Sequence, residues 1–160
     1  MQKYCNLLLL LTVAALACSC RMMRPTTLDS FYNSEVECLG VGYDGSQTLR
    51  VWGTGGSEAN AVEDAHKKAV YTVLFKGIVG GPCASKPVVT EVNAFERHRE
   101  YFDGFFARRG AYRRFVGRGN EQYGSRMVEY NAIQTKYGVT VTVSNSQLRK
   151  QLVKDGIIKQ

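Results

Sequence analysis

A stripe of small side chains at helical spacing strongly limits the folds open to this chain. Ala61, Ala65 and Ala69 recur every four residues, just after the glycine-rich turn over residues 53–56. Small residues on one helical face let a helix lie close against a sheet, and Ser57 is suited to cap the helix start. The sequence therefore predicts a strand, a tight turn and a helix over residues 57–76. The opposite, solvated side of that helix would carry Glu63, Asp64, Lys67 and Lys68.

The remaining chain divides into further short elements. Alternating or β-branched runs predict strands over residues 36–43, 48–53, 111–117, 127–134 and 136–144. Asn93 with Glu96 resembles a capping box and predicts a helix over residues 93–108. Ser144 or Asn145 would cap a last helix that Gly156 ends. The order β-β-α-α-β-β-β-α predicts an α+β fold, a single domain in which two to three helices pack on one face of an antiparallel sheet.

The first residues are typical of a lipoprotein signal peptide. Lys3 precedes an apolar run over residues 7–16, which is shorter than the roughly 20 apolar residues that a permanent membrane span needs. Small residues before Cys18 suit cleavage there and attachment of a diacylglycerol anchor to its thiol, with Cys20 as second choice. An ordinary secretory signal cut near Ala17 is the alternative. The sequence thus predicts a signal peptide over residues 1–17, a lipidated tether over 18–34 and a compact domain over 35–160.

Export limits the partners and the chemistry. The formal net charge is +7, and loss of Lys3 with the signal peptide leaves +6. A basic exported domain suits anionic membrane surfaces or an acidic protein partner. Nucleic acid would suit the same charge, but export separates the domain from nucleic acid, so we expect no nucleic-acid partner. An oxidising compartment permits a disulfide, and Cys38 with Cys83 is the preferred pair, although both could instead be buried free thiols. The cysteine and histidine spacing gives no support for a metal site.

The most distinctive stretch after the tether is rich in arginine and aromatic residues, over residues 97–118. Arginine binds carboxylates and phosphates by two-point contacts, and aromatic side chains anchor interfaces, so this composition suits an acidic partner. The aromatic side chains could equally be core, with the arginines forming a solvated face, and the two interpretations can coexist. The predicted contact surface comprises Arg97, Arg99, Arg108, Arg109, Arg113 and Arg114.

No arrangement of residues makes a convincing catalytic centre. A Cys83–His98 nucleophile pair can be drawn, but no local pattern favours it. Glu96 and Glu100 have helical spacing suited to paired-carboxylate chemistry, yet the neighbouring arginines favour ion pairs instead. The glycine-rich turn lacks both phosphate-loop patterns, which favours a purely packing role. We expect neither an enzyme nor a cofactor.

The turn Gly53-x-Gly55, the alanine stripe and the strand over residues 139–143 resemble small bacterial envelope lipoproteins similar to the N-terminal domain of flagellar assembly protein T. The last helix, with Leu148 and Leu152, agrees with this resemblance. It implies a compact α+β domain with a non-enzymatic role in an outer-membrane-associated assembly. In size, anchor and charge the chain also resembles accessory lipoproteins of envelope-spanning secretion systems.

These observations together predict a structural or assembly component of an envelope complex. It would be anchored to membrane lipid through its acylated cysteine, in the outer membrane and facing the periplasm, and would bind an envelope protein. A binding module for a small anionic or glycan ligand is the alternative. That alternative predicts a concave pocket with convergent polar groups.

Overall fold

The computed structural model describes residues 35–118, 127–130 and 135–159. The predicted signal peptide, the tether over residues 18–34 and the two candidate lipidation sites, Cys18 and Cys20, lie outside the described residues. So do residues 131–134 of one predicted strand.

Among the described residues, five strands form one antiparallel sheet. They are β1 (Val36–Val41), β2 (Gln47–Gly55), β3 (Val116–Arg118), β4 (Met127–Tyr130) and β5 (Thr135–Val143). The strand order is β1-β2-β5-β3, and β4 also pairs with β5. Because β2 pairs along the whole of β5, β3 and β4 share the other edge of that strand. Leu49, Val51, Val141 and Val143 point into the core, whereas Thr140 is buried on the opposite face.

Four α-helices are present in the described part of the chain. They are α1 (Glu58–Tyr71), α2 (Ala94–Arg97), α3 (Arg99–Phe105) and α4 (Asn145–Lys154). The Ser57 side chain accepts a hydrogen bond from the Asn60 amide at 3.3 Å. Ser57 is therefore the N-cap of α1, as predicted. The chain continues from α1 through one π-helical turn, Thr72–Lys76, and ends at Gly77 with φ +70°. The predicted α+β fold, with an antiparallel sheet and helices on one face, is therefore confirmed.

Helix α1 lies against β2 at backbone distance. A Cβ built on Gly53 would stand 1.9 Å from the Ala61 carbonyl oxygen and 2.7 Å from the Ala65 amide nitrogen. A Cβ on Gly55 would stand 2.7 Å from the Ala61 amide nitrogen. Ala61 and Ala65 are fully buried in this contact, and Ala69, one turn further along α1, is fully buried too. The alanine stripe and the glycines opposite it are thus two halves of one close helix–sheet packing.

The solvated side of α1 departs from the prediction at Lys68, which is only 5% exposed. Strand β1 pairs with β2 only as far as Val51. Beyond that point the Asp64 carboxylate accepts a hydrogen bond from the Thr54 amide at 2.9 Å, and Lys68 Nζ donates to the Trp52 carbonyl at 3.4 Å. Lys68 Nζ lies 2.6 Å from Asp64 Oδ2. The prediction of a solvated Lys68 is wrong because this ion pair binds the part of β2 that β1 does not cover.

The predicted helix over residues 93–108 is instead two short helices that meet at His98. Asn93 has φ +58° and its side chain makes no capping hydrogen bond, so the predicted capping box is also wrong. A continuous helix would separate Phe95 from Phe102 by about 10.5 Å along its axis. The break at His98 instead stacks the two rings, with centroids 5.4 Å apart.

The predicted strand over residues 111–117 is mostly a 3₁₀ helix, Ala111–Arg114, and only Val116–Arg118 forms a strand. Tyr112 and Phe115 are both buried. In a strand, residues three apart point to opposite faces, whereas in a 3₁₀ helix they share one. Burial of both rings therefore requires the helical turn.

The last helix ends as predicted. Gly156 has φ +72°, and the Ile157 amide donates to the Leu152 carbonyl at 2.9 Å, which folds the chain back over the helix end. At the other end of α4, Ser144 occupies the predicted N-cap position, but its side chain makes no capping hydrogen bond. Its carbonyl accepts the Leu148 amide at 3.0 Å, the first hydrogen bond of the helix.

Candidate functional site

The aromatic side chains of the arginine-rich stretch form part of the core. Phe102, Phe105, Phe106, Tyr112 and Phe115 are buried, and their rings contact one another in stacked and edge-on arrangements. The aromatic half of the stretch is therefore not available to anchor a partner. These packed aromatic rings instead fix the position of the backbone that carries the arginines.

All six arginines predicted to form a contact surface are exposed. Three of them have carboxylate partners: Arg97 contacts Glu91, Arg99 contacts Glu96, and Arg108 Nε lies 3.9 Å from Glu63 Oε2. Exposed pairs of this kind contribute little to stability, but they neutralise part of the charge that a partner would meet.

The other three arginines differ in having no carboxylate partner among the described residues. Within the described residues, Arg109, Arg113 and Arg114 have no carboxylate at ion-pair distance. The Arg114 guanidinium lies 5.7 Å from the centroid of the Phe115 ring. We call Arg109, Arg113 and Arg114 the arginine trio. The charges of Arg109 and Arg113 remain available to an external anion, whereas the charge of Arg114 also acts on Asp155.

The backbone between members of the trio is tightly constrained. A Cβ built on Gly110 would stand 2.1 Å from the Phe105 carbonyl oxygen, so the chain turns closely against the end of α3. The Gly110 amide donates to the Ala107 carbonyl at 2.8 Å. Because the turn and the buried Tyr112 ring fix the backbone here, the arginine trio is presented on a rigid support.

A hydrogen-bonded cluster joins α3 to the end of α4 beside the trio. The Tyr101 hydroxyl donates to Asp155 Oδ2 at 2.6 Å, and Gln151 Nε2 donates to both Asp155 oxygens at 2.8 and 2.9 Å. These hydrogen bonds, Tyr101 first, lower the pKa of Asp155, and the positive charge of Arg114 acts in the same direction. Burial, followed by the bond to Asp155, raises the pKa of Tyr101. Asp155 is thus ionised and Tyr101 neutral at neutral pH.

Tyr112 is held beneath α1. Its ring is fully buried, and Lys67 Nζ lies 5.6 Å from the ring centroid. Burial raises the pKa of Tyr112, and the negative charge of Glu63 raises it further. A hydroxyl that stays protonated in this position suits packing rather than nucleophilic chemistry.

Cys38 and Cys83 form a disulfide, with sulfurs 2.07 Å apart and Cα atoms 5.7 Å apart. This is the pairing that the sequence analysis preferred. Gln47 Nε2 donates to the Cys83 carbonyl at 3.0 Å and to Ser85 Oγ at 2.8 Å, which fastens the same loop to β2. Because Cys83 is oxidised and buried, the Cys83–His98 nucleophile pair has no thiolate.

The other chemical candidates are also accounted for by structure. Glu96 and Glu100 are both exposed, and Glu96 pairs with Arg99. Gly53 and Gly55 of the glycine-rich turn contact the α1 backbone, as a packing role requires. In the part of the chain that the structure describes, no group of three or more His, Cys, Asp or Glu side chains could hold a metal ion.

The structure also brings together residues that sequence reasoning did not connect. A cleft of about 620 Å³ lies between the segment that leads into α2 and the end of α4. Arg97, Arg149 and Lys159 line it, together with Ile157 and Ile158. No local pattern could have found this cleft, because its walls are more than fifty residues apart along the chain.

Among residues 35–118, 127–130 and 135–159, no helix has the length and apolar character needed to cross a bilayer. Comparison with protein-family models, curated proteins and solved structures finds no match to this chain. A function can therefore be argued only from the chemistry of its own residues.

Proposed function

We propose that this protein is a lipid-anchored structural or assembly component of a cell-envelope complex, in which the arginine trio binds an acidic protein partner. The observation that carries the proposal is the state of Arg109, Arg113 and Arg114. All three are exposed, and none has a carboxylate at ion-pair distance in the described part of the chain. Arginines on a rigid support bind carboxylates with little loss of conformational entropy.

The sequence of residues 1–20 supports the anchor. Acylation of Cys18 would hold the domain at a membrane through the tether over residues 18–34, and Arg21 and Arg24 would lie close to anionic lipid headgroups. A diacylglycerol on Cys18 carries two acyl chains, which meets the requirement for stable anchoring, and the basic residues add attraction to anionic headgroups. We place the anchor in the outer membrane, facing the periplasm.

The absence of a convincing catalytic group in the described residues is compatible with a binding role. In such a role the domain needs a stable fold, a fixed surface and a location. The disulfide and the aromatic core supply the first two, and the acylated cysteine would supply the third.

Affinity purification from crosslinked membranes tests the partner surface. We expect the wild-type protein to recover a stoichiometric protein partner, and the double variant R109Q/R113Q to recover much less. The control is K86Q/K150Q, which removes the same charge from two other exposed positions. Equal losses in both variants, or recovery of the lipoprotein alone, would contradict the proposal.

A third variant tests whether the arginine trio matters more for capture than arginines that already contact carboxylates. R97Q/R99Q removes two arginines that already contact carboxylates, and we expect it to reduce capture less than R109Q/R113Q does. A larger loss of capture in R97Q/R99Q would indicate that the partner contacts Arg97 and Arg99 rather than the arginine trio.

Metabolic labelling with palmitate tests the anchor independently. Replacement of Cys18 by alanine should abolish incorporation of the label, whereas replacement of Cys20 should leave it intact. The reverse result would assign the lipid to Cys20, and labelling of neither cysteine would rule out the anchor.

A further inference from the structure

A cleft beside α4 is lined by basic and apolar side chains, and no member of the arginine trio lines it. We propose that it binds a small organic anion, a phosphate or carboxylate that carries a short apolar group. Its volume, about 620 Å³, lies within the range of small-molecule sites.

The walls of the cleft are held by backbone hydrogen bonds. The Val88 and Val89 amides donate to the Val73 and Leu74 carbonyls, at 3.1 and 2.8 Å, within the π-helical turn that follows α1. The opposite wall is the fold-back after Gly156, described above. Because both walls are fixed by the fold, the cleft needs little rearrangement to accept a ligand.

The charge of the cleft favours an anion. Arg149 and Lys159 are exposed and have no ion-pair partner in the described part of the chain, while Arg97 contacts Glu91. Three cations thus face one carboxylate. Arginine supplies a planar pair of donors that matches a phosphate or carboxylate, and lysine adds a point charge.

The apolar part of the lining restricts the ligand further. Val88 is buried, and Ile157 and Ile158 are half-buried. A ligand with an alkyl or aromatic group could cover their exposed carbon atoms, which inorganic phosphate cannot do. The arrangement of basic and apolar residues therefore fits an anion with an apolar group better than a bare anion.

Calorimetric titration with n-hexyl phosphate tests the site. The full-length protein would be held in zwitterionic lipid nanodiscs, with the heat of empty discs subtracted. We expect saturable binding of hexyl phosphate, weaker binding of inorganic phosphate, and no saturable binding of hexanol. R149Q should weaken hexyl phosphate binding about tenfold, the effect of one charge-assisted hydrogen bond.

The control is K150Q, on the same helix and also exposed, but outside the cleft lining. It should bind hexyl phosphate as the wild type does, and both variants should keep the wild-type melting temperature. Equal effects of R149Q and K150Q would overturn the proposal, as would the lack of saturable binding. The R149Q protein should still capture the envelope partner. Loss of hexyl phosphate binding and loss of partner capture are therefore separate results, and each tests only one of the two proposals.

The source of the anion can be read from the same experiment. If anionic lipid in the nanodisc competes with hexyl phosphate, a membrane headgroup supplies the ligand. If affinity is unchanged in anionic discs, a free metabolite supplies it. Either result supports an anion site in the cleft.

Discussion

Replacement of Gly53 by alanine should strongly destabilise the domain. The added Cβ would meet the Ala61 carbonyl oxygen at 1.9 Å and the Ala65 amide nitrogen at 2.7 Å. Both atoms belong to the α1 backbone, so no rotamer change can relieve the clash and the whole helix must move away from the sheet. Overpacking of a core costs about 1–3 kcal/mol, and a backbone clash belongs at or above the upper end. The lower chain entropy of unfolded alanine returns only about 0.4–1 kcal/mol.

The matched control is Gly56, three residues further along the same turn. A Cβ there would meet nothing within 4 Å. We expect Gly56→Ala to change the free energy of unfolding by less than about 0.5 kcal/mol. Because the clash at Gly53 involves backbone atoms, an added Ala61→Gly change should not restore stability.

Urea unfolding measures these differences, with fluorescence of Trp52, the single tryptophan, as the probe. A loss of about 3 kcal/mol for Gly53→Ala beside an unchanged Gly56→Ala would support the close helix–sheet packing. Equal stabilities of the two variants would refute it, as would rescue by Ala61→Gly.

Three further predictions concern stability. Reduction of the disulfide should lower the free energy of unfolding by about 4 kcal/mol, because the bond closes a loop of 45 residues; denaturation with and without reductant measures this. Lys68→Met should cost about 3 kcal/mol in urea unfolding, since it leaves the Asp64 carboxylate without its cation, whereas the exposed Lys150→Met should be near neutral. The pKa of Asp155 is lower in the folded state than its unfolded value of 3.8. The stability that ionised Asp155 adds to the fold is therefore fully present above pH 3.8 and is lost as the pH falls through the lower folded-state pKa. The destabilisation caused by Tyr101→Phe in thermal melts should therefore shrink below pH 3.8, and a constant difference at all pH values would contradict this.

The parts of the fold that follow local patterns were predictable. The alanine stripe and the alternating valines of β5 each depend on one period of the backbone, and both appear where the sequence places them. Gly77 and Gly156 end their helices for a similarly local reason, the positive φ that glycine adopts without strain.

Tertiary packing decided the features that were not predicted correctly. Burial of Tyr112 together with Phe115 turned a predicted strand into a 3₁₀ helix, and stacking of Phe95 on Phe102 broke a predicted helix. Lys68 is buried because β1 is shorter than β2, a length difference that the sequence of α1 cannot show.

The two candidate sites also differ in how much of each the sequence predicts. The six exposed arginines were predictable from composition, but the distinction between paired and unpaired arginines depends on where Glu63 and Glu91 lie in space. The cleft that joins Arg97 to Arg149 was not predictable at all, since it depends on the contact of two distant segments.

Site-specific photocrosslinking in intact membranes tests the central claim most directly. A photoreactive residue at position 113 lies within the arginine trio and leaves two of its arginines in place. A residue at position 37 is the control, because Glu37 is exposed on the face of the sheet opposite the helices. We predict one protein adduct, rich in acidic residues at the crosslinked site, from position 113 and none from position 37. Adducts of equal yield from both positions, or none from position 113, would contradict the proposed role of the arginine trio.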